Sequence, residues 1–416
     1  SEVEGARRLA RHQGMPALLA SIARARRRPA AWFRRSAEII DDAVLLDVND
    51  TATTQLATGV QRVAREVALD WAGRPGVELV GWSASRDALL RLDADRFRLK
   101  QRRGVFRPGP IVPLGGHYVL AESLTEPARA LRIQAIADYS GAVASMIGHD
   151  VIPLTMAETT GPGMPGVFAK YLAAASRMHR VAATSGASTT EFLGWKRMLA
   201  SAGLAGPTIV TVPLAASVPR FDPALEAGTR ERLSAAAGSD LPLVLCVGSH
   251  EPRKNHLAVL QAAELLWSAG EQFSLSFVGG NSWSSEAFAN TLDRMRAAGR
   301  PVQSVSGMSD GQLWWAYRLA RLTVFPSLGE GFGLPVAESL YAGTPVVTSD
   351  FGSMAELASL GGCVLVDPRD DTSIAAGIRS LLVDEPLHAR LSAEASTIRP
   401  RSWADYADEL WHAMVN

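Results

Sequence analysis

Short apolar runs alternate with longer stretches whose apolar positions recur at helical spacing, and this alternation holds through most of the chain. The first strand-like run covers residues 43–48, AVLLDV. A polar loop follows, and the spacing predicts a helix opening at Gly59, with Val60, Val63, Ala64, Val67 and Ala68 on one face. Strand-like runs return at Val77–Trp82, 117–121, Val143–Gly148, Arg180–Ala183 and 208–212, and helical stretches at Pro127–Tyr139, 167–178 and 189–202 separate most of them. Near residue 215 the segment PLAASVPRFDP reads as a proline-punctuated linker. A second series then begins, with strands at Leu243–Val247, 275–278 and Val302–Val305 and helices at 256–269 and 310–321. An amphipathic helix at 403–415 ends the chain. Strand–helix alternation of this kind predicts an α/β protein built on doubly wound parallel sheets. The expected division is a basic extension at 1–42, a first Rossmann-like domain at 43–215, a second at 216–400, and a terminal helix at 401–416.

At 416 residues the chain is long enough for two or three domains with a substantial core. Lysine plus arginine equal aspartate plus glutamate at 42 each, so net charge gives no sign of a nucleic-acid partner. Cys246 and Cys363 are the two cysteines; each falls in an apolar run read as a strand, and both are expected to be buried thiols outside any disulfide framework. No apolar run is long enough to span a membrane, no apolar core of a secretion signal is expected at the start, and the cytoplasm is the expected compartment. Charge is unevenly spread. Residues 1–42 carry nine arginines against five acids, with Leu18, Leu19, Ile22, Trp32 and Phe33 among them. Such a stretch suits either a solvated extension or a peripheral contact with an anionic membrane surface. A second basic patch, Arg96, Arg98, Lys100, Arg102, Arg103 and Arg107, interrupts the strand–helix pattern. Asp93 and Asp95 form a D-x-D there, but the neighbouring arginines would pair with these acids and repel a cation, so no metal is expected.

The densest chemistry lies in FPSLGEGFGLPVAESLYAGTPVVT, residues 325–348. Gly329, Gly331 and Gly333 form a turn, and Pro335 opens a short helix that closes at Gly343. The free N–H groups of a first helical turn suit a phosphate, and glycines before it let a ligand approach the backbone. Glu330, in the loop, can reach the far side of such a ligand. Glu338 can accept hydrogen bonds from a diol such as a ribose, or can simply complement the helix dipole. Upstream, SHEPRKN at 249–255 follows the strand Leu243–Val247, where Arg253 can grip a phosphate bidentately and Lys254 can add a point charge. GHDVIPL at 148–154 puts His149 and Asp150 at the carboxyl end of a strand, where parallel sheets gather ligands.

The pattern E-G-F-G-L-P-x-x-E followed by A-G-T-P-V-V resembles the signature of retaining glycosyltransferases of family 4, which have the GT-B fold. The resemblance implies two Rossmann-like domains facing a cleft, with a terminal helix crossing back to the first. It implies that Glu330 lies by the transferred sugar, that Glu338 binds the ribose, and that the backbone of Gly331, Phe332, Gly333 and Leu334 holds the diphosphate. E-P-R-K-N is similar to the family's basic motif, which puts Gly248, Ser249, Arg253 and Lys254 on the donor diphosphate; Ser249 stands where some relatives have a further arginine. Thr58, Gly59, Gln61 and Arg62 match a T-G-x-Q-R-V segment facing the cleft. H-D-x-x-P would set His149 beside the sugar, with Asp150 orienting it or facing the acceptor. Thr184 and Ser185 would line the acceptor side, and the base would sit near Val305 and Ser306. Pro213 is followed by Leu214 and Ala215 where the family has a glycine at the hinge.

The function so implied is retaining transfer of a sugar from a nucleoside-diphosphate sugar to a hydroxyl of a glycan or lipid-linked glycan, with no cofactor or metal. Arg253, Lys254, Glu330 and His149 would carry the catalysis. The combination of H-D-x-I-P-L with E-P-R-K-N-H is similar to bacterial mannosyltransferases of surface polysaccharides, which makes GDP-mannose the first donor expected. A nucleotide-sugar epimerase or phosphorylase of the same architecture, or a non-catalytic nucleotide-sugar-binding protein, are the alternatives. A nicotinamide dehydrogenase is disfavoured, since no G-x-G-x-x-G follows either first strand.

Overall fold

The computed structural model describes residues 37–54, 58–216, 218–219, 222–234 and 241–416, so the basic stretch before residue 37 lies outside the described residues. Two sheets organise the chain, one of nine strands and one of six. The first contains β1 (Glu38–Asp41), β2 (Val44–Asp47), β3 (Val77–Trp82), β4 (Leu89–Leu92), β5 (Phe106–Leu114), β6 (His117–Leu120), β7 (Val143–Gly148), β8 (Arg180–Ala183) and β9 (Thr208–Thr211). Its strand order is β1-β5-β4-β3-β2-β6-β7-β8-β9. The second contains β10 (Leu243–Val247), β11 (Ser274–Val278), β12 (Val302–Val305), β13 (Leu322–Phe325), β14 (Val346–Ser349) and β15 (Cys363–Val366). Its order is β12-β11-β10-β13-β14-β15, the doubly wound arrangement whose strand order reverses between the first and fourth strands. Every pairing in this second sheet is parallel. The fold is GT-B.

Two features differ from the expectations. Residues 38–41, assigned to the extension, form the edge strand β1, parallel to β5. Its Ile40 is buried while Ile39 stands exposed, the period-two burial of a strand. The basic patch is bracketed by β4 and β5, which pair antiparallel to each other with a shift in register between Leu90 and Leu92. Pro108, Pro110 and Pro113 lie inside β5, and prolines argue against a strand when only the sequence is in hand. Cys246 is a buried thiol, as expected, whereas Cys363 on the edge strand β15 is only half-buried.

One apolar cluster joins the two sheets. It contains Val44, Leu46 and Val119 of the first, Phe325 and Val346 of the second, and Leu214, Ala215 and Ala216 of the linker. Leu214, Ala215 and Ala216, where the family has a glycine after the proline, are buried in this cluster. The last helix, Trp403–Met414, lies against the helix Gly59–Trp71. Trp71 donates its indole N–H to the Ala407 carbonyl at 3.0 Å and meets Trp411 edge-on with centroids 5.1 Å apart. Arg180 of β8 donates to the Ala413 carbonyl at 3.1 Å. Trp71→Ala should therefore cost roughly 3–5 kcal/mol, the range for deleting a fully buried large aromatic. Hydrogen exchange should show residues 403–414 deprotected first, and uniform protection across that helix in the variant would contradict the docking.

Candidate functional site

The order of the second sheet reverses between β10 and β13, and in doubly wound sheets the crevice that takes the ligand lies outside the carboxyl ends of the strands at that point. Both of the sequence's strongest motifs fall there. After β10 the chain makes a short 3-10 turn, Pro252–Lys254, and Asn255 then takes a left-handed conformation at φ 62°. The Asn255 amide donates to the carbonyls of Pro326 (3.2 Å) and Pro368 (2.7 Å), fastening this turn to two other loops of the sheet. After β13, Gly333 adopts φ 97°, a left-handed value that favours glycine, and caps the helix Leu334–Tyr341 with Pro335 in its first turn.

These turns bring Arg253, Lys254 and Glu330 together. Glu330 Oε1 lies 2.6 Å from Arg253 Nη1 and 3.0 Å from Lys254 Nζ. Arg253 also reaches Glu251 Oε2 at 2.9 Å and donates to the Gly329 carbonyl at 2.7 Å. Ser327 adds its hydroxyl to Glu330 Oε1 at 3.1 Å. Burial alone would push the Glu330 carboxyl up, but Arg253 and Lys254 outweigh it and hold the pKa down to about 2. Arg253 is raised: burial disfavours its charge, and Glu330 and Glu251 more than compensate. Glu330 is thus a firm carboxylate, a weak base and a weak nucleophile.

Glu338, on the helix Leu334–Tyr341, is 5% exposed. Its Oε2 accepts from the Tyr317 hydroxyl at 2.9 Å, and its Oε1 from Arg62 of the helix Gly59–Trp71. Burial raises the Glu338 carboxyl despite the arginine.

The first sheet closes over this crevice. Gly331 is the contact point: a Cβ there would stand 2.2 Å from the His149 carbonyl oxygen, so no other residue fits without displacement. The Gly331 carbonyl accepts from three hydroxyls of the first domain, Ser185 at 2.7 Å, Ser188 at 2.9 Å and Thr184 at 3.3 Å. Thr184 and Ser185, expected on the acceptor side, are at the cleft but engage the second domain's glycine-rich loop. Glu356 accepts from the backbone N–H groups of Gly186 (3.1 Å) and Ala187 (3.2 Å), capping the helix Gly186–Ser201 from the opposite domain. Gly59 lies against Leu334, 3.4 Å from where its Cβ would be.

His149 is buried, and its Nε2 sits 3.0 Å from the Ala121 carbonyl. A carbonyl can only accept, so Nε2 carries the proton and Nδ1 remains the acceptor. Burial drives the imidazole down to about 4, neutral at ordinary pH. Asp150 accepts from Ile152 N at 3.1 Å, and burial raises its carboxyl against the pull of Arg253. Val305 ends β12, and Ser306 just after it helps line a cavity of about 310 Å³ with His250, Asn281, Phe288 and Ser304. Gly248 and Ser249 begin the turn that leads to Arg253, and Ser249 donates its hydroxyl to Glu251. Asp93 caps the helix Ala94–Arg98 and lies 3.6 Å from Arg107, a structural use for the D-x-D. Among the described residues no group of three or more histidines, cysteines, aspartates or glutamates is placed to hold a metal ion.

The comparisons with known proteins agree with this geometry. A sucrose-phosphate synthase from Thermosynechococcus elongatus superposes with a TM-score of 0.61 at 17% identity, over 90% of this chain and 96% of that one. HepE of Anabaena, solved with UDP and glucose, gives 0.62 at 14% identity over 89% and 98%. These likenesses define the architecture. Residues 229–397, the part that contains Arg253, Lys254, Glu330 and Glu338, match the model of the glycosyl transferases group 1 family. Among curated relatives, the chain is 26% identical over 324 residues to the serotype-specific mannosyltransferase WbdA of Escherichia coli, covering 76% of this chain and 40% of that protein. It is 34% identical over 142 residues to the O-antigen chain mannosyltransferase B of the same species, covering 34% and 37%. The chain spans about two fifths of the length of these relatives.

The neutral His149 predicts a pH dependence. Its folded pKa of about 4 lies below the ordinary 6.5, so between these values the unfolded chain binds a proton that the folded one does not. Stability should therefore fall as pH drops from 6.5 towards 4, by about 3 kcal/mol at most from this group. His117, His250 and His256 are lowered too, so the comparison that isolates His149 is with His149→Gln, which keeps an N–H for Ala121. Chemical denaturation across that range should show a shallower loss in the variant; equal slopes would contradict the assignment.

Proposed function

We propose that this chain is a retaining glycosyltransferase. It moves a sugar from a nucleoside-diphosphate sugar to a hydroxyl of a glycan or lipid-linked glycan. The observation that carries the reading is the trio of Arg253, Lys254 and Glu330, joined at the loop just before the helix Leu334–Tyr341, with Glu338 on that helix. Two fixed cations and a helix N-terminus suit a pyrophosphate, and Glu338 suits the ribose beyond it. In the reaction the bond from the anomeric carbon to the leaving phosphate oxygen breaks, and a bond to the acceptor hydroxyl oxygen forms on the same face. The acceptor's proton passes to the departing phosphate. Negative charge grows on that phosphate, where Arg253 and Lys254 are already in place to stabilise it. This charge compensation requires no metal. Glu330, with its pKa near 2, orients the sugar and stabilises positive charge at the anomeric carbon rather than taking a proton. His149 Nδ1 and Asp150 face the sugar and acceptor from the other domain.

GDP-mannose is the donor we favour, supported by the mannosyltransferase names of the relatives and by the H-D-x-I-P-L and E-P-R-K-N-H segments. No helix among the described residues is long and apolar enough to cross a membrane. Exposed Arg98, Leu99 and Lys100 support a peripheral contact with an anionic membrane face carrying a lipid-linked acceptor. Donors are best screened by thermal shift, since a ligand at 100 times its dissociation constant adds about 2.7 kcal/mol of stability. With the donor found, Glu330→Ala and Lys254→Ala should each lower turnover at least roughly a hundredfold, the size of an oxyanion-donor loss. Release of nucleoside diphosphate measures this. Near-normal rates in either variant would contradict the assignment, and release that depends on free phosphate or needs no acceptor would favour the phosphorylase or epimerase.

A further inference from the structure

Arg62 makes an ion pair that the reaction does not call for. It sits in the first turns of the helix Gly59–Trp71, in the first domain, yet its guanidinium crosses the cleft to the second. One arm holds Glu338 Oε1, and Nη2 lies 3.0 Å from Asp310 Oδ1. The other oxygen of Glu338 is taken by Tyr317 at 2.9 Å. The proposed ribose-binding carboxylate is therefore engaged on both oxygens without a nucleotide, and one of its two partners belongs to the opposite domain. A ribose diol chelated by a carboxylate needs both oxygens to accept. Arg62 and Tyr317 already stand on its two oxygens, and with only 7% of the Glu338 side chain exposed little of the carboxylate is open to a diol while Arg62 is there.

We propose that Arg62 is a positioning residue that competes with the donor ribose for Glu338, so that nucleotide binding requires Arg62 to withdraw. The inference rests on the donor-site reading above. Three observations make the exchange feasible. Glu338 has only 7% of its side chain exposed, and burial raises its carboxyl, so it needs hydrogen-bond donors; a diol supplies two where the guanidinium leaves. Arg62 keeps a charged partner in Asp310, whose side chain is 73% exposed and free to follow it outward. Asp310 begins its own helix, Asp310–Leu319, whose N-terminus its carboxylate complements whether or not Arg62 is beside it. Burial opposes the charge on Arg62, but Glu338 and Asp310 together raise its pKa, so it stays cationic wherever it moves between them. The exchange has a structural consequence. Arg62–Glu338 and Arg62–Asp310 join the two domains beside the Gly331 contact, and displacement of one arm by ribose loosens the cleft on the side where the donor enters.

Calorimetric titration of the full chain with GDP, with UDP and with inorganic pyrophosphate tests this. Arg62→Met keeps the aliphatic stem and removes the competitor, and Arg62→Gln serves where that variant does not fold. The nucleotide that binds should bind the variant at least roughly threefold more tightly, because the binding-competent form of Glu338 is no longer a fraction of the population. Pyrophosphate, which has no diol, should bind variant and wild type equally. Unchanged or weaker nucleotide binding in the Arg62 variants would overturn the proposal, as would an equal gain for pyrophosphate. Glu338→Ala separates this failure from failure of the donor-site reading: nucleotide binding at wild-type affinity in that variant would remove the ribose site itself.

Discussion

The structure depends on the pairing of one buried carboxylate, Glu330, with two cations of the loop before it, Arg253 and Lys254. Breaking a buried pair by removing one partner generally costs 3–5 kcal/mol, because the remaining charge keeps its desolvation penalty. That penalty keeps all three side chains at the reversal point of the second sheet, and the surrounding backbone is arranged to suit. Asn255 holds the basic turn against the loops at Pro326 and Pro368. Ser353 donates to the Glu330 carbonyl at 2.9 Å. Lys254 also lies over the Phe325 ring at 5.0 Å. The cations are therefore fixed before any ligand arrives, which is the condition under which they stabilise developing charge most.

The second constraint is the contact between domains. Beside the apolar cluster that joins the two sheets, polar links cross at Gly331, Glu338 and Glu356, all within one stretch of the second domain. Gly331 matters for what it lacks, since any side chain would strike the His149 carbonyl. The glycine-rich loop proposed to hold the pyrophosphate thus also receives the hydroxyls of Thr184, Ser185 and Ser188.

Much of this was legible in the sequence. The alternation of apolar runs and helical spacing gave the parallel character of the second sheet, because its central strands β10, β11, β13 and β14 are short, largely buried runs. The motifs gave Arg253, Lys254, Glu330 and Glu338, because glycines and paired charges at fixed spacing have few other uses. The hairpin of β4 and β5 was hidden by its prolines, and β1 by its position at the end of an arginine-rich stretch. Partners across the cleft were hidden for a different reason. Arg62 and Glu338 are 276 residues apart, and Glu356 and Gly186 are 170 apart, so no local pattern relates them. Arg62 had been noted within its segment, but its partner could come only from the folded arrangement.

The most direct measurement is a crystal structure of the full chain with GDP or UDP bound. The account predicts the two phosphates between the Arg253 and Lys254 side chains and the N-terminus of the helix Leu334–Tyr341, with the ribose hydroxyls on Glu338. A nucleotide bound away from that crevice, or bound there with Glu338 turned from its ribose, would contradict it.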